Sequence, residues 1–398
     1  MQLQNNRSSQ ALQIPAFFRL GFRPFFLLGA LLAFIAIPLW IAGLAGKLGA
    51  WQPLGGWLAW HMHEMVFGFG AVIIAGFLLT AVQTWTGVPS ISGNRLAALT
   101  LLWLAARIAW LLNAPALLVL VLDGAFIPLV ALQMAYCVGK VKQTRNYPIV
   151  VVLSVLAGLN FLSLYGTLSN NFALSRQAAI GAVWAVAALM SLIGGRVIPF
   201  FTQKGLSLPQ GTLAWPWLDN FLLAASLLIA ISYGFALALP ASPYFGVVFL
   251  AVGLGHAIRF TRWYKNAVWR VSLLWSLYLA YAWLACAFIA MGLWHFGLLQ
   301  NASTALHALT VGAMAGLILA MIARVTLGHT GRPLVPPTAM AWGFALFNLG
   351  AFVRVFAVQF QYMHSLWLAS ALWAISFGIF LAYYGPMLCK ARIDGRPG

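Results

Sequence analysis

The sequence predicts an all-α polytopic membrane protein with twelve transmembrane helices. Three observations lead there. Hydrophobic residues make up 63% of the 398 positions and charged residues only 7%, where a soluble domain carries about 25%. Apolar runs close to the ~20 residues that cross a bilayer recur along the whole chain. No polar stretch is long enough for a soluble appendage, so one integral membrane domain over 1–398 is expected. The basic residues, finally, gather at alternate ends of those runs.

Pro, Gly and charge punctuate the runs. The first two spans are expected at 25–45 and 57–84, separated by a Gly- and Pro-containing loop. The third and fourth, at 96–112 and 114–138, are joined closely through Asn113–Pro115. The next four are 148–167, 176–201, 217–239 and 243–263, and the last four 270–293, 302–328, 338–359 and 364–389. With the N-terminus inside, sixteen of the 22 Lys and Arg fall in inside segments. Only Lys47 and Arg176 fall outside, and Arg107, Arg196, Arg324 and Arg354 lie within spans. That bias places both termini in the cytoplasm.

The net charge of +18 does not indicate nucleic acid, because no basic stripe or RNA-binding aromatic pattern occurs. Cys137, Cys286 and Cys389 are isolated, with no CxxC or CxxCH. A disulfide framework, a thiolate metal centre and covalent haem attachment are therefore not expected. Residues 1–24 lack the apolar core of a removable signal peptide. No GxSxG, Walker loop or HExxH supports a hydrolase or ATPase.

The orientation gathers five of seven histidines toward the outer face: His61, His63, His295, His307 and His364. Intramembrane ionisable groups are costly, which makes them functional candidates. His63–Pro89 aligns with His307–Pro333 at an offset of 244 residues without a gap, with seven of 27 positions identical. Both stretches share the first His, a Gly five residues later (Gly68, Gly312) and a terminal TG-x-P. A Gly there leaves room for a backbone or a flat ligand. The sharper reading of His63 and His307 is axial ligation of a b-type haem from two helices. The plainer one is a pair of hydrogen-bonded core histidines.

His61 is about 200° from His63 on a helix and shares a face with Glu64 and Met65. His61 with Met65, and Met291 with His295, are i,i+4 imidazole–thioether pairs suited to copper. The alternative for His61 is an interfacial histidine bonded to Glu64. Glu64 itself reads as a proton carrier, a partner to a histidine, or an ion-pair partner of Arg107 or Arg354. Those two arginines are expected to bind haem propionates or to pair across helices. Arg196 and Arg324 read as snorkelling side chains or an inner anion site. Asp123 reads as a polar helix contact, His256 and His329 as interfacial, and most Trp as interface anchors.

Four blocks, GFRPFFLLG (Gly21–Gly29), Trp60–Gly87 with its WHMHEM start, GGRVIPFFT (Gly194–Thr202) and His307–Leu334, closely resemble the NnrS family. The resemblance implies a twelve-span haem- and copper-containing protein of the bacterial inner membrane. It also implies a role in denitrification and in protection from nitric oxide, with His61, His63, Glu64 and His307 in the metal region. Nitric oxide or a nitrosyl species, the lipid bilayer and an unidentified electron donor are the expected partners. A weaker likeness is to the twelve-span subunit of haem–copper oxidases, whose helical bundle holds bis-His haem between spans two and ten. Its copper centre has no counterpart, since Ile180–Phe201 and Trp217–Leu239 contain no His. The competing class is a secondary transporter without haem, for which broken helices and twelve spans also speak.

Overall fold

The computed structural model describes residues 12–209, 215–238 and 240–396. Arg7 of the charge count and Leu239 of the seventh expected span lie outside them. The described residues hold twelve long helices and no strand. They are α1 Phe22–Leu44, α2 Gly56–Thr86, α3 Gly93–Leu111 and α4 Ala116–Lys140. There follow α5 Tyr147–Leu168, α6 Phe172–Gly205, α7 Pro216–Gly234 and α8 Pro243–Trp263. The last four are α9 Ser272–His295, α10 Ala302–His329, α11 Thr338–Phe356 and α12 Tyr362–Cys389.

Eleven are long and apolar enough to cross a membrane. The exception is α3, whose 19 residues include Asn94, Arg95 and Arg107 and dilute its hydropathy. Local chemistry sets the boundaries. Pro starts α7 and α8, where its missing N–H costs nothing. Asn113 takes a left-handed φ of 51°, which lets the chain reverse within the few residues between α3 and α4.

The chain packs as two compact units drawn from separated stretches. Unit 1 is Met1–Ser175, Ile322–Pro337 and Phe377–Gly398; unit 2 is Arg176–Met321 and Thr338–Ser376. In unit 1, α1 lies close on α2. A Cβ added at Gly76 would meet the Cβ of Phe25 at 2.9 Å, and Phe22, Phe25 and Phe26 are fully buried. In unit 2, α8 and α9 approach through small residues: a Cβ at Gly253 would lie 2.9 Å from the backbone N of Ile289, and one at Gly292 3.1 Å from the carbonyl O of Gly246. Lipid tails are as apolar as Leu, so such close packing, not water exclusion, holds helices together.

The expectation that most Trp anchor the interface fails at Trp60, Trp103, Trp110 and Trp184, which are buried. Trp103 and Trp110 spend their indole N–H inside unit 1, on Gly68 O at 3.2 Å and Asp123 Oδ2 at 2.9 Å. His256 is not interfacial either. It is fully buried, with Nδ1 2.7 Å from the Tyr281 hydroxyl.

The two aligned stretches share backbone detail. α2 widens to a π-helix over Glu64–Gly70 and α10 over Ala308–Ala315. Each begins one residue after the matched histidine. Thr86 and Thr330 both bond the carbonyl four residues back, and Gly87 and Gly331 both turn left-handed, at φ 70° and 78°. The match read from seven identities is therefore a structural repeat.

Candidate functional site

The π segment of α2 builds the site of unit 1. A π turn disturbs the regular i→i−4 ladder, and α3 covers the carbonyls at this point: Trp103 donates to Gly68 O, and Arg107 lies 3.5 Å from Phe67 O. Gly68 permits the approach. A Cβ there would lie 2.8 Å from Glu64 Oε2 and 2.9 Å from an Arg107 guanidinium nitrogen. The room this glycine leaves holds an ion pair.

Four charged or ionisable side chains meet beside it, all at least 95% buried: His63, Glu64, Arg107 and Asp123. Arg107 lies between the two carboxylates, 3.0 Å from Glu64 Oε2 through Nε and bonded to Asp123 Oδ2 through its other arm. His63 lies between the same two acids. Its Nδ1 is 3.3 Å from Glu64 Oε1; its Nε2 is 3.0 Å from Asn160 Oδ1 and 3.5 Å from Asp123 Oδ1. The amide nitrogen of Asn160 donates to Asp123 Oδ1 at 3.1 Å, which turns its oxygen toward His63. An imidazole with acceptors at both nitrogens donates twice, so the geometry suits the protonated ring. A doubly donating ring would set two cations, His63 and Arg107, against the two carboxylates. The ring also stacks on Trp110, with centroids 4.1 Å apart.

Asp123, Asn160 and Trp110 were not expected here. Asp123 lies on α4 and Asn160 on α5, and nothing in their local sequence points to α2. The one available signal was scarcity: Glu64 and Asp123 are two of only four acids in the chain. His63, Glu64 and Asp123 also form the group among the described residues whose donor atoms, within 4.8 Å of one another, could hold a metal ion. As arranged, Arg107 is the cation between those carboxylates.

His61 stacks on Trp40 of α1 at 3.9 Å, away from His63, as helical phase requires. Glu64 does not stay on the His61 face. The helix becomes π at Glu64, and its carboxylate reaches His63 and Arg107. Met65 is half-buried.

In unit 2, His307 is half-buried and held at both nitrogens. Nδ1 is 2.7 Å from the Ser303 carbonyl, so it carries the proton; Nε2 accepts from Arg354 at 2.8 Å. This fixes the neutral tautomer with its lone pair on Nε2, the orientation that a backbone carbonyl commonly imposes on a ligand histidine. The space opened by Gly312 is taken by the Trp283 indole, whose ring atoms would lie 2.5 Å from an added Cβ. His295 is buried and its Nδ1 accepts from the Ser242 N–H at 3.1 Å. Its proton therefore sits on Nε2, and no lone pair is left for copper. Met291 bonds the Tyr233 hydroxyl instead, and His364 is exposed.

Fold and site together define a polytopic helical membrane protein that keeps a set of charges buried among α2, α3, α4 and α5. The chain belongs to the NnrS family: the family described as NnrS protein matches residues 16–392, nearly the whole chain. A comparison with curated proteins found no match. Membership supports a nitric-oxide-related role in the membrane.

Proposed function

We propose that this protein acts on nitric oxide or a nitrosyl species at a b-type haem held through His307, in the bacterial inner membrane with both termini cytoplasmic. The observation that carries the reading is the preset tautomer of His307: its lone pair is on Nε2, where Arg354 donates to it, and an iron would take that lone pair only as the guanidinium turns to a propionate. Arg354 is then the cation for a propionate, a pairing that Arg makes well. His63 fits ligation less well, because both its nitrogens already face acceptors. The reading therefore departs from the two-histidine haem expected from sequence. When bound, a haem would supply the binding of nitric oxide and the passage of electrons from a donor, with His307 and Arg354 as the residues that would hold it. Reduction of nitric oxide consumes protons. In unit 1, Glu64 and His63 can hold a proton between them, with Asn160 and Asp123 orienting the ring. Arg107 lies between the two acids.

Copper fits this arrangement only at His61 and Met65, four residues apart on α2. Metal analysis of purified protein tests that part: His61→Ala is expected to lose copper, and retention would remove His61 as a ligand.

The haem reading is tested by the visible spectrum of protein purified from haem-replete cells. A Soret band is expected in wild type and in His63→Ala, and its loss in His307→Ala. Loss in both variants would restore the two-histidine ligation. A colourless wild type would sink the haem reading and favour the transporter.

A further inference from the structure

Arg23, in the GFRPFFLLG block, has no role in the site above. It is the second residue of α1 and fully buried. One nitrogen, Nη1, lies 3.5, 3.0 and 2.6 Å from the carbonyls of Met387, Leu388 and Lys390 at the end of α12. That caps a helix C-terminus, where a cation is favoured, but partial charges do not neutralise a full one. Nε and Nη2 are buried and make no hydrogen bond. A guanidinium cannot relieve this by losing its proton, and a buried unpaired charge is costly.

Its charged neighbours make matters worse. Arg19, Arg392 and Arg332 all act on it with the same sign. Arg19 also carries a buried nitrogen, Nη1, without a partner. The acid of this end, Asp394, is held by Arg392 through both oxygens, at 2.8 and 2.5 Å. Arg392 keeps that carboxyl well below the usual carboxylate range, so it stays ionised beside Arg392 at neutral pH. Four guanidinium groups thus converge with one carboxylate, and the most deeply buried of them has two nitrogens unused.

We infer that this end of unit 1 binds an oxyanion of the phosphate class, with Arg23 as its buried anchor and Arg19, Arg332 and Arg392 around it. Planar forked donors match phosphate oxygens. The positive-inside count places the start of α1 and the ends of α10 and α12 at the cytoplasmic surface. Two sources of that chemistry meet there: the phosphodiester of an anionic phospholipid and free phosphate.

The test uses the full chain in neutral detergent, with unfolding followed by tryptophan fluorescence. The probes are phosphatidylglycerol in mixed micelles and inorganic phosphate, each against sodium chloride at equal ionic strength. At least one probe is expected to raise the melting temperature beyond the chloride control. Arg23→Gln should require about tenfold more of it, the loss of charged hydrogen bonds. Arg332→Gln should require roughly threefold more, as suits a half-exposed charge. A response to phosphatidylglycerol alone assigns the lipid, and a response to both probes or to phosphate alone assigns the free anion. If Arg23→Gln does not fold, Arg332→Gln decides. No shift beyond chloride, or an equal shift in wild type and in the variant that decides, overturns the proposal and leaves Arg23 as a helix cap.

Discussion

Arg107→Met is expected to destabilise the protein by about 3–5 kcal/mol, the cost of removing one partner from a buried ion pair. The loss should be this large because Arg107 serves two acids at once, Glu64 at 3.0 Å and Asp123 through its other arm. Neither carboxylate has water to turn to, since both are at least 98% buried. His63 alone would then face two negative charges. The double variant Arg107→Met/Asp123→Leu removes one charge of each sign and leaves His63 with Glu64. It should recover part of the loss, even though Trp110 and Asn160 lose an acceptor. Denaturation of wild type, Arg107→Met, Asp123→Leu and the double variant in matched micelles gives the coupling. A single variant as stable as wild type, or strict additivity, would show that these charges do not act as a unit.

Gly253→Ala is the second large effect, at about 1–3 kcal/mol. The added methyl would lie 2.7 Å from Ile289 Cγ1, 2.9 Å from its backbone N and 3.3 Å from the Ala285 carbonyl. A side chain can rotate away, but a helix backbone cannot, so α8 and α9 must separate. The control is Gly158→Ala on α5, where a Cβ meets nothing within 4 Å. There the better helix propensity of Ala should leave stability unchanged or raise it by up to ~1 kcal/mol. Equal melting temperatures for the two variants would disprove the close approach.

Much of the architecture was legible in the chain because a bilayer enforces a simple rule. In a helical membrane protein each span satisfies its backbone hydrogen bonds within itself, so hydropathy, Pro and Gly positions, and the tight Asn113–Pro115 turn located all twelve helices. The repeat was legible too, through His63 and His307, Gly68 and Gly312, and the shared TG-x-P ends. Its π segments were not. A π turn depends on neighbouring groups that cover disturbed carbonyls, as Trp103 and Arg107 do for α2.

The site was half legible. His63, Glu64 and Arg107 stood out because ionisable groups in a membrane are rare. Their partners did not, because Asp123 and Asn160 belong to other helices and carry no local mark. Sequence by itself determined that this is a many-helix membrane protein, how many long helices it has and which spans repeat. Tertiary structure alone decided which acid meets which base and which groups face the nitrogens of His63, His295 and His307. A helix boundary is settled by contacts within a few residues and by the thickness of the bilayer; a hydrogen-bond partner is settled by what a different helix brings within 3 Å.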